Sequence, residues 1–451
     1  MHDLRLTTAS AASVLGASRI GPDMAFAGCA IDSRQVQPGQ LFVALPGAHT
    51  DGHEHVSQAR QAGAAAALVN RVVDAELPSI VVRDVPMALG QLSAYWRAHM
   101  PARVAGITGS NGKTTVKELL GAMLREIGET LQTRGNLNND IGVPMTLLRL
   151  ESEHRYAVVE MGANAAGEIA SLAAMARPCA GIITHCGPAH IQGFGSIEGV
   201  ARAKGELVTA LPDDGVAVLN ADDPFFGYWR DLAGDRRVVT FGLTHHADVC
   251  AMWRGGAESL ELTIQTHRGS FEARVRLLGQ HNVMNVLAAT AAALEMGAHP
   301  ESVVGALASF SPVRGRLCPV ASASGARLID DSYNANPASL KAAIEILANS
   351  EGTRWLVLGD MAELGTDACA LHGEAGVQAR ESGIDRLLTL GQLSANATRE
   401  FGPGAQHFEN VDELLTQLRK QLGIGHTVLV KGSRSMSMER VVRGLEVSNA
   451  A

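Results

Sequence analysis

The segment Gly106-Ile107-Thr108-Gly109-Ser110-Asn111-Gly112-Lys113-Thr114-Thr115 carries residue types, in an order, that can hold a chain of phosphates. The apolar run Val104–Ile107 leads into it, and an amphipathic pattern follows, with Val116, Leu119, Leu120, Met123 and Leu124 on one face. Strand, glycine loop, Lys-Thr and helix form the layout of a phosphate cradle. Gly109 and Gly112 free the backbone around Ser110 and Asn111, so that successive N–H groups converge on phosphate oxygens, and the helix N-terminus adds partial positive charge. The Lys113 ammonium can follow β- and γ-phosphates, and the hydroxyl of Thr114 or Thr115 can ligate Mg²⁺. Gly106 lies one residue too far from Gly112 for the commonest spacing, so the loop is a variant.

Other polar groups stand where elements must bring them to this loop. The apolar run Tyr156–Met161 predicts a strand that carries the Glu160 carboxylate at its end, where a metal beside the loop would sit; a helix cap is the alternative. A second run, Ala180–Thr184, precedes a Gly/Pro-bounded loop ending in His190, placed either for metal or phosphate contact or for a structural role. Lys204, read alone, is a solvated helix lysine. Thr133–Pro144 holds three Asn, two Gly and a Pro, which predicts an irregular loop whose amides, Asn136 and Asn138 among them, reach sugar or phosphate oxygens. Asn282 opens an Ala-rich helix, either as its cap or as a partner for a nucleobase edge. After three later strands come the polar clusters of Asp331, Asp360 and Lys431, in line with a ligand site at strand ends. Near the N-terminus, Ser33-Arg34 and Asp51-Gly52-His53 either connect strands or grip an anionic, nucleotide-like ligand.

The chain has 451 residues, 46% of them apolar, which suits roughly three α/β domains with substantial cores. Breaks near 84 and 314 divide it into 1–84, a small α/β domain; 85–313, a nucleotide domain with a mostly parallel sheet; and 314–451, a set of βα units. Within 248–278 the alternation predicts antiparallel strands. A formal net charge of −8 argues against a general nucleic-acid or membrane-surface binder. The six scattered cysteines read as buried thiols of a reducing compartment. The Met-His-Asp-Leu-Arg-Leu-Thr start has no signal-peptide layout and no run reaches membrane-spanning length, so a cytoplasmic protein with no membrane insertion is expected.

Gly-Ile-Thr-Gly-Ser-Asn-Gly-Lys-Thr-Thr resembles the off-spacing phosphate loop of the Mur ligases, ATP-dependent amide-forming enzymes of peptidoglycan synthesis. Gly135–Asn139, Asp331–Pro337, Gly359–Gly365 and Lys431–Arg434 are similar to the branch that joins D-Ala-D-Ala to UDP-N-acetylmuramoyl-tripeptide. The Asp-Asn-Pro-Arg signature of the diaminopimelate-adding branch is absent. The resemblance implies an N-terminal domain for the UDP-sugar peptide, a central P-loop ATPase domain and a C-terminal Rossmann-like domain. It implies ATP on Gly109–Thr115, with Lys113 at the β/γ-phosphates, Arg316 at the γ-phosphate, Asn282 at adenine and Asp331 at ribose. Two Mg²⁺ ions are implied: one on Thr114 or Thr115 with Glu160, the other on His190, with Lys204 carbamylated into a carboxylate-like ligand. The sugar peptide falls to Asn136, Asn138, Ser33, Arg34, Asp51, Gly52 and His53, and D-Ala-D-Ala to the loops of Asp360 and Lys431. A monomer is expected.

Overall fold

The computed structural model describes residues 6–47, 50–188, 191–256 and 258–447. Its centre is a six-stranded parallel sheet in the order Arg237–Phe241, Val216–Asn220, Ala180–Ile183, Arg103–Thr108, Tyr156–Glu160, Thr130–Gln132. The strands are near-continuously apolar because helices cover both faces. The chain starts this sheet at Arg103–Thr108, builds towards one edge, then crosses to Ala180–Ile183 on the other side. Strand order therefore reverses at the carboxyl end of Arg103–Thr108, the place where such sheets bind ligands. The glycine loop lies there.

On one face the helix Lys113–Arg125 buries Val116, Leu119, Leu120, Met123 and Leu124, as its pattern predicts, against Val283, Val286 and Leu287 of the helix Gln280–Glu295. On the other face the core runs on into the first 84 residues. Asp84 accepts a hydrogen bond from Met87 N (2.8 Å) and caps the helix Val85–Ala98. That helix packs on both sides of the expected boundary: Trp96 Nε1 donates to Leu150 O (2.9 Å) and Arg97 Nε to Ala176 O (2.9 Å), while Leu89 and Leu92 join Leu41 and Leu68 of the N-terminal sheet in one core. The N-terminal sheet has five short strands in the order Ser18–Ile20, Ser79–Val81, Ala66–Val69, Leu41–Val43, Cys29–Ala30. Cys250–Gly255, Leu260–Thr266 and Gly269–Val275 form the antiparallel sheet that alternation predicts.

The C-terminal sheet runs Cys318–Ala321, Arg327–Asp331, His426–Lys431, Thr353–Gly359, Arg386–Leu390, Ala405–Phe408, antiparallel at its first pair and parallel throughout the rest.

Four expectations need correction. The loop Thr133–Pro144 is not irregular to its end, because a helix begins at Gly142 and carries Pro144 in its first turn, where a missing N–H costs nothing. Asn282 is not a cap: the helix starts at Gln280 behind Gly279, and Asn282 is buried inside it. Asp330 and Asp331 end a strand and do not open the turn after it. Finally, only Cys29, Cys186 and Cys318 are buried; Cys179 and Cys250 are half-buried and Cys369 is exposed, and all six thiols are free. No helix among the described residues is long and apolar enough to cross a membrane.

Candidate active site

The glycine loop is held from behind by the loop after Ala180–Ile183. Ser110 N donates to His185 O (2.8 Å), Ser110 Oγ to Gly187 O (2.8 Å), and Thr184 Oγ1 to Asn111 O (2.6 Å). These bonds fit only if the loop has no side chains at its two tightest points. A Cβ on Gly109 (φ +152°) would lie 1.8 Å from Thr184 Oγ1, and one on Gly112 (φ +86°) 2.3 Å from Asn285 Oδ1. Gly112 caps the helix that Lys113 opens, so free helix N–H groups face the loop's concavity. Lys113 folds back over the loop, its Nζ donating to Gly109 O (2.7 Å).

Cations gather around this cradle. Burial pushes the Lys113 ammonium below its usual pKa; Glu160 opposes that shift and Arg316 adds to it. Lys204, 7% exposed, is taken down to about 7, first by burial and then by Lys113, with Cys186 and Asp223 opposing. The Lys204 ammonium has no hydrogen-bond partner among the described residues. Arg316 reaches across from the C-terminal domain: its Nη2 lies 3.4 Å from Thr114 Oγ1, and its guanidinium stacks 4.1 Å from the centre of the Tyr333 ring. Asn336 Nδ2 donates to Asn111 Oδ1 (3.1 Å), a second bond from that domain to the loop. Lys113, Lys204 and Arg316 outnumber the two carboxylates, Glu160 and Asp223, that act on them, which makes a site for a polyanion.

Glu160, 2% exposed, accepts a bond from Asn138 Nδ2 (2.8 Å) at Oε1, while its buried Oε2 has no hydrogen-bond partner. The Lys117 ammonium stands 3.8 Å from it, too far for a hydrogen bond, and a buried carboxylate oxygen without one is costly unless a further cation meets it. Thr114 and Thr115 lie in the first turn of the helix that follows the neighbouring strand, and carboxylate and hydroxyl together are a hard-oxygen set that fits Mg²⁺. His190, expected to hold a second ion, lies outside the described residues, as does His49 of an early polar turn.

The buried pair at the third domain is closer than its sequence separation suggests. Register sets Asp331 beside Lys431 on neighbouring parallel strands, and Lys431 Nζ lies 2.5 Å from Asp331 Oδ2 and 3.0 Å from Asn334 O. Burial raises the Asp331 carboxyl, and Lys431 pulls it back. Lys431→Met should therefore lower stability by about 3–5 kcal/mol by stranding a buried carboxylate, and adding Asp331→Asn should recover most of that loss. Urea unfolding of the three variants checks it.

Several residues expected at substrate have partners within the fold. Lys431 is one, its charge spent on Asp331. The Asp360 carboxylate accepts from Leu393 N (3.2 Å) and Ser394 N (2.8 Å), locking two loops together. Ser33 Oγ donates to Gln58 Oε1 (2.8 Å). Asp51 accepts from His53 N and Nδ1 and from Arg71 Nη2, while His53 Nε2 accepts from Asn70 N (2.9 Å). Gly52 packs where a Cβ would meet Leu45 N at 2.7 Å. Arg34 is exposed but forks onto Asp32, which it holds at about 2. Asn136 is exposed and available. Asn282 Nδ2 donates to Leu278 O (2.8 Å) and its Oδ1 accepts from Asn285 (2.9 Å), which leaves one amide N–H for a ligand.

Sequence reasoning missed Lys117, Thr184, Asn285 and Asp223. Lys117 had a visible signal: it is a lysine flanked by Val116 and Leu120 on the buried face of the loop helix. Asp223 had none, since only the fold brings its carboxylate to Cys186 N (2.7 Å) and His185 Nδ1 (3.2 Å).

A nucleotide-type parallel domain, with a phosphate loop closed over from a second Rossmann-like domain, defines the class, and sequence models of one family match along the chain. These are the Mur ligase family catalytic domain (25–97), the Mur ligase middle domain (107–293) and the Mur ligase glutamate ligase domain (315–434). The chain belongs to the Mur ligase family. It is 43% identical over 447 residues to the UDP-N-acetylmuramoyl-tripeptide–D-alanyl-D-alanine ligase of Escherichia coli (strain K12), covering 98% of this chain and 99% of that one. The ligase of the same name from Bacillus subtilis (strain 168) is 37% identical, with 93% of each chain covered. Among solved structures, MurF from Acinetobacter baumannii superposes with a TM-score of 0.89 at 34% identity over 98% of this chain and 99% of that one. MurF from Thermotoga maritima, in complex with ADP, gives 0.81 at 25% over 93% and 96%.

Proposed function

We infer that this chain joins D-alanyl-D-alanine to UDP-N-acetylmuramoyl-tripeptide at the expense of ATP, giving the pentapeptide precursor of peptidoglycan, ADP and phosphate. It is an amide-bond-forming ligase, as its named relatives are. The observation that carries the reading is the convergence of Lys113, Lys204 and Arg316, from two domains, on a glycine loop at the reversal point of the central sheet.

A carboxylate is a poor acyl donor, so activation must precede amide formation. The tripeptide's terminal carboxylate attacks the γ-phosphorus of ATP, ADP leaves, and an acyl phosphate results. The amine of the dipeptide then adds to the acyl carbon, and the tetrahedral adduct collapses to amide and phosphate. The protein's part is to position and neutralise. Loop N–H groups and Lys113 take the β/γ-phosphates, and Arg316 takes the γ-phosphoryl group and bridges the domains through Thr114. Bound Mg²⁺ would be held by Glu160 with Thr114 or Thr115 and would supply charge neutralisation at the phosphates. Closure of the third domain excludes water, which would otherwise hydrolyse the acyl phosphate.

Lys204 fits the part of a carbamate. A lysine brought to about 7 is largely neutral at slightly alkaline pH, and only the neutral amine adds CO₂. The Asp360 and Lys431 loops remain the proposed seat of the dipeptide, through their backbone and neighbours. Asn136 and Arg34 are the exposed groups offered to the sugar peptide. The use of ATP and a nucleotide-linked sugar peptide supports a cytoplasmic location, and a monomer is proposed.

With all three reactants, phosphate release should proceed and mass spectrometry should show the pentapeptide. Omitting the dipeptide should stop turnover, and a single amino acid should not replace it. Equal turnover with a single amino acid would refute the substrate assignment.

A further inference from the structure

Lys117 lies one helical turn beyond Lys113 and is completely buried. Its Nζ donates to Gly135 O (3.1 Å), pairs with Glu118 Oε1 (3.0 Å) and stands 3.8 Å from Glu160 Oε2. Its partners are Gly135, Glu118 and Glu160 and not the glycine loop, whose O atom at Gly109 is bonded by Lys113, so its position answers to something else. Gly135 opens the segment whose Asn138 amide grips the other oxygen of the same Glu160. One buried ammonium thus ties the Gly135–Asn139 segment, the loop helix and the metal carboxylate to a single point. Glu118 is held in turn by Gln132 Nε2, and Gln132 Oε1 by Arg125 Nη1 (2.7 Å), so the pairing carboxylate cannot swing away.

We propose that Lys117 is a positioning residue that couples seating of the sugar-nucleotide peptide on the Gly135–Asn139 segment to the aim of the Glu160 carboxylate at the metal. The proposal rests on the function assigned above and deepens it. Glu118 and Glu160 share the Lys117 ammonium, and Glu160 Oε2 keeps no hydrogen bond, so an arriving cation completes it. Lys117 keeps Glu160 aimed without reaching it, since 3.8 Å is too long for a hydrogen bond. Loss of the ammonium would free Gly135 and let Glu160 turn, disturbing substrate and metal sites together while the cradle keeps its own contacts.

The test is calorimetric titration of full-length wild type, Lys117→Met and Glu118→Gln with UDP-N-acetylmuramoyl-tripeptide alone, and separately with a non-hydrolysable ATP analogue. Mn²⁺ affinity in the analogue complex is read by electron paramagnetic resonance. Lys117→Met should weaken the sugar-nucleotide peptide and Mn²⁺ each by about tenfold or more, and the ATP analogue by less than about threefold. Glu118→Gln should shift the first two in the same direction by about threefold, and it decides the matter should Lys117→Met fail to fold. A purely structural lysine would lower the melting temperature and leave all three affinities alike, and that outcome overturns the proposal. So does equal loss for substrate and ATP analogue. A wild type that does not bind the sugar-nucleotide peptide at all overturns the assigned function and this proposal together, and shows before any variant is made.

Discussion

Lys204→Ala should lose about 100-fold in turnover, and acetate or another short carboxylic acid should restore a measurable part of it. The reason is the environment of the amine: 7% exposed, beside Lys113, without a hydrogen-bond partner among the described residues. A permanently charged lysine there would add a third cation to a cradle already holding Lys113 and Arg316. A carbamate would turn it into an anion that can meet a metal, and an added carboxylic acid mimics that anion. The sign of the pH dependence follows from burial. The folded value near 7 lies below the 10.5 of an unperturbed lysine, so between these pH values the unfolded chain binds a proton that the folded chain does not. Stability contributed at this position therefore rises with pH across that window, and the burial penalty is at its full size below 7. In CO₂-depleted buffer, the stability gained by Lys204→Met relative to wild type should shrink from pH 6 to pH 9. Full activity of Lys204→Ala would exclude the carbamate.

Gly109→Ala should abolish useful ATP binding while the protein still folds. Its Cβ would come within 1.8 Å of Thr184 Oγ1, the hydroxyl that holds Asn111 O, so either that bond or the loop's shape must go. Loss of at least about 3 kcal/mol in nucleotide affinity, roughly 100-fold, is expected. Gly135→Ala is the control: its φ of +54° is left-handed too, but nothing lies within 4 Å of its Cβ. Only the backbone cost of about 1–2 kcal/mol in stability should appear there, with nucleotide affinity retained. Nucleotide titrations and melting curves of the two variants separate a steric lesion at the cradle from a general glycine effect.

The central domain was legible because local pattern and global role coincide there. The buried stripe of Val116 to Leu124, the apolar strand ending in Glu160 and the glycine loop all state their own geometry. Of the two readings of Asn282, the cap fails because Gly279 takes the helix start; Asn282 is buried in the first turn, its amide bonded locally to Leu278 and Asn285. The polar turns of the N-terminal domain were ambiguous for a related reason. Whether His53 meets a ligand or Asn70 depends on a strand end 17 residues away, which no local pattern encodes. The Asp331–Lys431 pair, 100 residues apart, follows from strand order alone. Lys117 shows the converse: a buried-face lysine is readable in sequence, but its partner Gly135 is a carbonyl, which composition cannot reveal.

The central claim is that the chain activates a carboxylate with ATP and passes the acyl group to an amine. It is tested most directly by labelling both oxygens of the tripeptide's terminal carboxylate with ¹⁸O and analysing the phosphate released during ligation. Transfer through an acyl phosphate predicts one ¹⁸O in each phosphate and one retained in the new amide carbonyl. Phosphate without label, released at the same rate whether or not D-Ala-D-Ala is present, would mean that water is the acceptor and that the chain is not a ligase.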